Sequence, residues 1–125
     1  MTTIRVNVTK KVIEESRFCG EQNWGNYASN CAIAKALWDI IPNVSVLETE
    51  VMFFDKNKGC IGISDLPHSA MYFIGKFDRS TPDEILSLEP ISFELEIPDT
   101  VIDNISIEEI TKRLELQVEK TVELV

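Results

Sequence analysis

The chain has 125 residues, 44% apolar and 26% charged, a balance that fits one soluble domain with its own core and excludes a disordered chain. Residues 1–81 hold nine Lys/Arg against nine Asp/Glu, whereas residues 82–125 hold three basic side chains against twelve acidic ones, so the whole net charge of −9 falls in the last third. That third argues against nucleic-acid or anionic-membrane binding and for a basic partner or none.

Ile4, Val6 and Val8 alternate with Thr3, Arg5 and Asn7, which predicts a strand with one buried face. Thr9 stands as the N-cap of a short helix over Lys10 to Ser16, where Val12 and Ile13 supply a small apolar stripe. Gln22 to Asn30 is uncharged and rich in turn-forming residues, and it carries Trp24 and Tyr27; it reads as a loop that packs or binds. Ile33, Ala34, Leu37, Trp38 and Ile41 then recur at helical spacing until Pro42, predicting a helix over 31–41.

Val44 to Ser64 turns to β-branched and aromatic residues around Asp55-Lys-Asn-Lys-Gly59, the pattern of a hairpin turning between Phe54 and Cys60. Pro67 opens a further helix, capped by Asp65, with Ala70, Met71, Phe73, Ile74 and Phe77 on one face and an end near Asp78. Phe93, Leu95 and Ile97 alternate with Ser92, Glu94 and Glu96 between Pro90 and Pro98, giving another one-sided strand. Ser106 and Glu109 form a capping-box pair ahead of Ile107, Ile110, Leu114, Val118, Val122 and Val125, so an amphipathic helix is expected from Ile107 to the C-terminus. Its flank carries Glu108, Lys112, Glu115, Glu119 and Glu123, and Leu116 and Leu124 fall outside its stripe. The expected fold is a single α+β domain over 1–125, a mostly antiparallel sheet with helices packed on one face.

The start, Met1-Thr-Thr-Ile-Arg5, lacks the basic and apolar segments of a secretory signal, and no apolar run approaches the roughly 20 residues of a membrane helix. Cys19, Cys31 and Cys60 are odd in number and far apart, which points to a reduced, cytoplasmic setting.

Cys31 is placed in the first turn of its helix, where the helix dipole lowers a thiol pKa, and His68 is the single histidine that could serve it as base. The competing reading makes Cys31 a small packing residue and His68 a surface one, and it is preferred. Cys19, Cys31, Cys60 and His68 match the zinc set Cys3His in type but lack the close ligand pairs of structural sites, so no metal is expected. No phosphate-binding, metalloprotease or nucleophile-elbow motif is present, and no cofactor is indicated.

Glu94 and Glu96, about 6.7 Å apart along one strand face, run on toward Asp99 and Asp103. With the helix carboxylates Glu115 and Glu119 they could imitate a phosphate track and meet a basic protein groove; the plainer reading is a solvated face that keeps the domain soluble. Trp24 and Tyr27, with Asn26 and Asn30, offer flat contact area and hydrogen bonds for a small-molecule ligand, or else anchor their loop on the core.

The order of the Ile-x-Val-x-Val-Thr9 strand, Asn30-Cys-Ala-Ile-Ala-Lys-Ala-Leu37, Val44-Ser-Val46, Leu66-Pro67, Phe73-Ile74, Phe77-Asp78 and Pro90-Ile-Ser-Phe-Glu-Leu95 resembles small uncharacterised proteins of tailed bacteriophages. The resemblance implies a genomic context and no particular activity; the acidic stretch after Ile97 is read as a departure from the pattern. Phage accessory proteins of this size commonly bind a host enzyme, sequester a signal or decorate the particle. The expected function is therefore a non-enzymatic, intracellular binding or inhibitory protein whose acidic third docks on a basic host surface through Glu94, Glu96, Glu115 and Glu119. The alternatives are a structural, virion-associated homo-oligomer contacting through Leu116, Leu124 and exposed sheet edges, and a cysteine enzyme using Cys31.

Overall fold

The structure is a computed structural model and describes residues 2–16, 32–41 and 43–125. Its strands are antiparallel and divide into two three-stranded sheets, so the α+β class is as expected.

In the first sheet β1 (Thr2–Val8) lies between β5 (Ile91–Ile97) and β6 (Val122–Leu124). Ile4 stands opposite Leu95 and Leu124, and Val6 opposite Phe93 and Val122. Because side chains alternate across a strand, this register buries Ile4, Val6, Val8, Phe93, Leu95, Ile97 and Val122 on one face. Thr3, Arg5 and Asn7 consequently point the other way, opposite Glu96, Glu94 and Ser92.

The second sheet takes β2 (Val44–Val46), β3 (Glu50–Asp55) and β4 (Gly59–Asp65) in order. Val44 pairs with Phe53 and Val46 with Val51, and all four are buried. The β3–β4 hairpin forms where the sequence places it. The Asp55 carboxylate accepts from the backbone N–H groups of Asn57 and Lys58 at 2.8 and 3.1 Å, and Gly59 takes a φ of +79°, which glycine adopts without steric cost.

Helix α1 (Lys10–Glu15) begins at Thr9, whose side chain accepts from Val12 N–H at 3.2 Å. Helix α2 (Ala32–Trp38) packs on both β1 and β2, joining the inner faces of the two sheets. Ala32, Ile33, Ala34, Ala36 and Leu37 are all buried, so α2 is a core helix covered on most sides. It ends earlier than the periodicity predicts, although Ile40 and Ile41 remain buried beyond it.

Helix α3 (His68–Arg79) packs against β5 through Ala70, Phe73, Ile74 and Phe77. Its N-cap is Pro67 with no side-chain cap bond, so Asp65 is a strand residue and not the cap. Two short helices escape the sequence reading: α4 (Pro82–Ile85), opened by a Thr81–Glu84 capping box, and α5 (Asp99–Asn104), packed against β4. At that contact a Cβ on Gly62 would stand 3.0 Å from Val101 Cγ2 and 3.1 Å from Pro98 Cγ, so the absent side chain is what allows α5 to lie so close.

The C-terminal segment corrects the expected long amphipathic helix. Helix α6 covers only Ile107–Glu115, after which the chain turns and Val122–Leu124 pairs with β1. Ser106 caps α6 by accepting from Glu109 N–H at 3.1 Å, but the Glu109 carboxylate faces Arg113 at 3.0 Å instead of returning to the cap. Two polar side chains stabilise the turn after α6. Lys120 Nζ donates to Leu114 O at 2.8 Å, and Gln117 Oε1 accepts from Thr121 N, Thr121 Oγ1 and Val122 N at 2.8, 3.2 and 3.3 Å. A strand here buries Val122 fully and covers the free edge of β1; a continued helix would leave that edge unpaired, and unpaired edges invite aggregation.

Candidate docking face

The outward face of β5–β1–β6 carries Arg5 in its centre, opposite Glu94 on one side and Glu123 on the other. Arg5 Nη2 lies 3.9 Å from Glu94 Oε1, with side-chain exposures of 48% and 59%, so the pair is a solvent-screened contact worth about 0–1 kcal/mol. Asn7 donates from Nδ2 to Glu123 Oε1 at 2.9 Å and accepts from Ser92 Oγ at 2.7 Å, which orients one carboxylate and links three strands. Glu96 stands opposite Thr3. Three carboxylates and one guanidinium thus share a face of polar residues on a rigid sheet, an arrangement suited to meeting a surface rich in Lys and Arg.

This face continues into a groove of about 530 Å³ where β4 runs beside β5 without a ladder. Glu94 and Glu96 line one wall, Ile63 and Asp65 the other, and the largely buried Leu66 with Pro67 and Pro98 extends the apolar lining. Among the described residues no lysine, arginine or histidine lines it.

The remaining expected site residues lie elsewhere. Glu115 is exposed at the end of α6, and Glu119, in the turn before β6, lines a separate groove of about 410 Å³ together with Lys11, Lys35 and Arg113. Within that groove Lys35 pairs with Glu15 at 3.4 Å, and Arg113 turns to Glu109. The described lining residues of the two grooves do not overlap, so Glu119 does not share the groove of Glu94 and Glu96, and Glu115 lines neither. The twelve carboxylates of the acidic third are spread over α4, β5, α5, α6, β6 and their connections; the strand track ends at Pro98, with Asp99 and Asp103 on α5. Glu123 joins the face instead, and it was hidden because its position depends on β6. Trp24, Asn26, Tyr27 and Asn30, together with Cys19 and Cys31, lie outside the described residues.

A third groove, of about 520 Å³, separates α3 from the segment joining α4 to β5 and is lined by Tyr72, Lys76, Arg79, Glu84 and Glu89. Lys76 Nζ stands 4.6 Å from the centre of the exposed Tyr72 ring, a cation–π contact. The Glu84 carboxyl is held below its ordinary value by hydrogen bonds from Thr81, the reciprocal half of the cap, so it is engaged structurally. On the same α3, burial followed by repulsion from Glu48 pushes the Asp78 carboxyl up.

Cys60 is a free, exposed thiol whose Sγ contacts Gly62 O at 3.6 Å, and His68 is exposed at the start of α3. Among the described residues no group of three or more His, Cys, Asp or Glu is placed to hold a metal ion, and no helix is long and apolar enough to cross a membrane. Comparison with family models, with curated proteins and with solved structures finds no match.

Proposed function

We propose that the protein is a non-enzymatic binding protein that engages a basic protein surface through the outward face of β5–β1–β6. The observation that carries this reading is the shared face of Glu94, Glu96 and Glu123, opposed among the described residues by the screened Arg5. Asn7 already orients the Glu123 carboxylate, which lowers the cost of ordering that side chain on association. The resemblance to phage accessory proteins would make the partner a host factor, bound in the cytoplasm and blocked by occupancy.

The test compares proteins captured from host lysate by the wild-type chain and by Glu94→Gln/Glu96→Gln/Glu123→Gln at low and high salt. A partner retained at low salt, released at high salt and absent from the triple variant supports the face. Equal capture by both chains, with equal salt dependence, rejects it.

A second reading draws on the turn after α6, where Leu116 is 75% exposed and Val118 is fully exposed. Exposed apolar side chains of this kind suit contact between copies in a structural oligomer. Light scattering of the wild-type chain and of Leu116→Ser/Val118→Ser separates the two readings by mass alone.

A further inference from the structure

We infer that the groove between β4 and β5 receives an extended protein segment in which basic and apolar side chains alternate. The inference rests on the docking reading above and assigns it a partner chemistry. The outward faces of the two sheets meet in this groove, because Ile63 and Asp65 of β4 share it with Glu94 and Glu96 of β5. Three carboxylates therefore rim a lining that is apolar apart from the buried Ser64, with no cation among its described lining residues. Ile63 is 50% exposed and faces Met52 across the β3–β4 ladder, so the apolar surface extends onto the second sheet.

A wholly hydrophilic cation would satisfy the carboxylates and leave Ile63 in water. A wholly apolar segment would cover Ile63 and desolvate three carboxylates of which, among the described residues, Glu94 alone has an ion-pair partner, the screened Arg5 at 3.9 Å, which is costly. Alternation satisfies both conditions, since an extended chain presents successive side chains to opposite sides at about 3.3 Å per residue. Lys or Arg on one side then reaches the Glu94–Glu96 wall while apolar residues on the other cover Ile63 and the prolines. β4 and β5 lie too near one another to admit a strand between them, so the segment rests over the groove and does not join either sheet.

The experiment measures fluorescence anisotropy of two labelled twelve-residue peptides, one alternating Lys with Leu and one alternating Lys with Ser, against the full chain. Tighter binding of the Lys-Leu peptide by about tenfold or more is expected, with that advantage lost in Ile63→Ser and both affinities reduced in Glu94→Gln/Glu96→Gln. Ile63→Lys, which adds a cation to the wall, should weaken Lys-Leu binding further; the thermal midpoints of all variants verify folding. Equal affinities that still depend on Glu94 and Glu96 would overturn the groove while leaving the acidic face standing. Failure of both peptides to bind the wild-type chain would overturn both. Self-association abolished by Ile63→Lys, without peptide binding, would assign the surface to a second copy and overturn the proposal as well.

Discussion

Each of the two sheets buries one face, and their outer faces differ. Outside β5–β1–β6 the strand residues are Thr3, Arg5, Asn7, Ser92, Glu94, Glu96 and Glu123. Outside β2–β3–β4 stand Met52 and Ile63, with Leu47 and Phe54 also exposed at 38% and 36%. The polar face needs no cover. The mixed one leaves apolar area in water beside a row of carboxylates, so the docking proposed above would call on both charge and apolar surface. Inner-face residues hold the fold, whereas outer-face residues are free to serve recognition.

Strand β5 offers the sharpest way to break that comparison. Leu95 is 1% exposed, so Leu95→Ala should cost about 2–5 kcal/mol of stability through lost burial and a cavity, read as a lower denaturant midpoint. Its neighbours Glu94→Gln and Glu96→Gln should change the same midpoint by less than about 0.5 kcal/mol while weakening partner binding. A large stability loss from the glutamine variants would mean that those carboxylates serve the fold.

Gly62→Ala probes the contact between the second sheet and α5. The added methyl meets Val101 and Pro98 side chains at 3.0–3.2 Å, and overpacking of this kind costs about 1–3 kcal/mol. Gln117→Ala tests the turn that returns the chain to β1. It removes the acceptor for Thr121 N, Thr121 Oγ1 and Val122 N, a part-buried loss of about 1–3 kcal/mol, and amide exchange should then accelerate first at residues 121–125. If exchange there stays slow, the side-chain turn is not what holds β6.

The smallest expected effect is at Asp78. Its carboxyl titrates above the ordinary 3.8 because burial and Glu48 disfavour the charge, so the folded chain binds this proton more readily than the unfolded one. Stability therefore falls as pH rises from 3.8 through the raised value and is fully present only below that window. Asp78→Asn should flatten this part of the pH profile and raise stability at neutral pH by up to about 0.5 kcal/mol. An unchanged profile would refute the assignment.

Elements with a complete local signal were legible in the residues. β1 and β5 alternate cleanly, Thr9 caps α1, and α3 shows its apolar stripe. The C-terminal strand was not legible, because Val118 and Val122 are four apart, a spacing that puts both on one helix face and equally on one strand face. Only the free edge of β1 decides between them, and that is a tertiary fact. α4 carries the Thr81-Pro82 and Glu84 start signal, but at four residues it is too short to show a stripe. The Glu94–Glu96 pair followed from alternation, whereas Glu123, Ile63 and Asp65 reach the site through contacts between strands distant in the chain.

The central claim, that one face and not general acidity recognises the partner, is tested most directly by mapping amide chemical-shift changes as the Lys-Leu peptide is added to the isotopically labelled chain. Changes centred on residues 93–97, 4–6, 122–124 and 63–66 are expected, with the α6 carboxylates Glu108, Glu109 and Glu115 unmoved. Changes centred on α6, or spread evenly over the carboxylates of the acidic third, would contradict it.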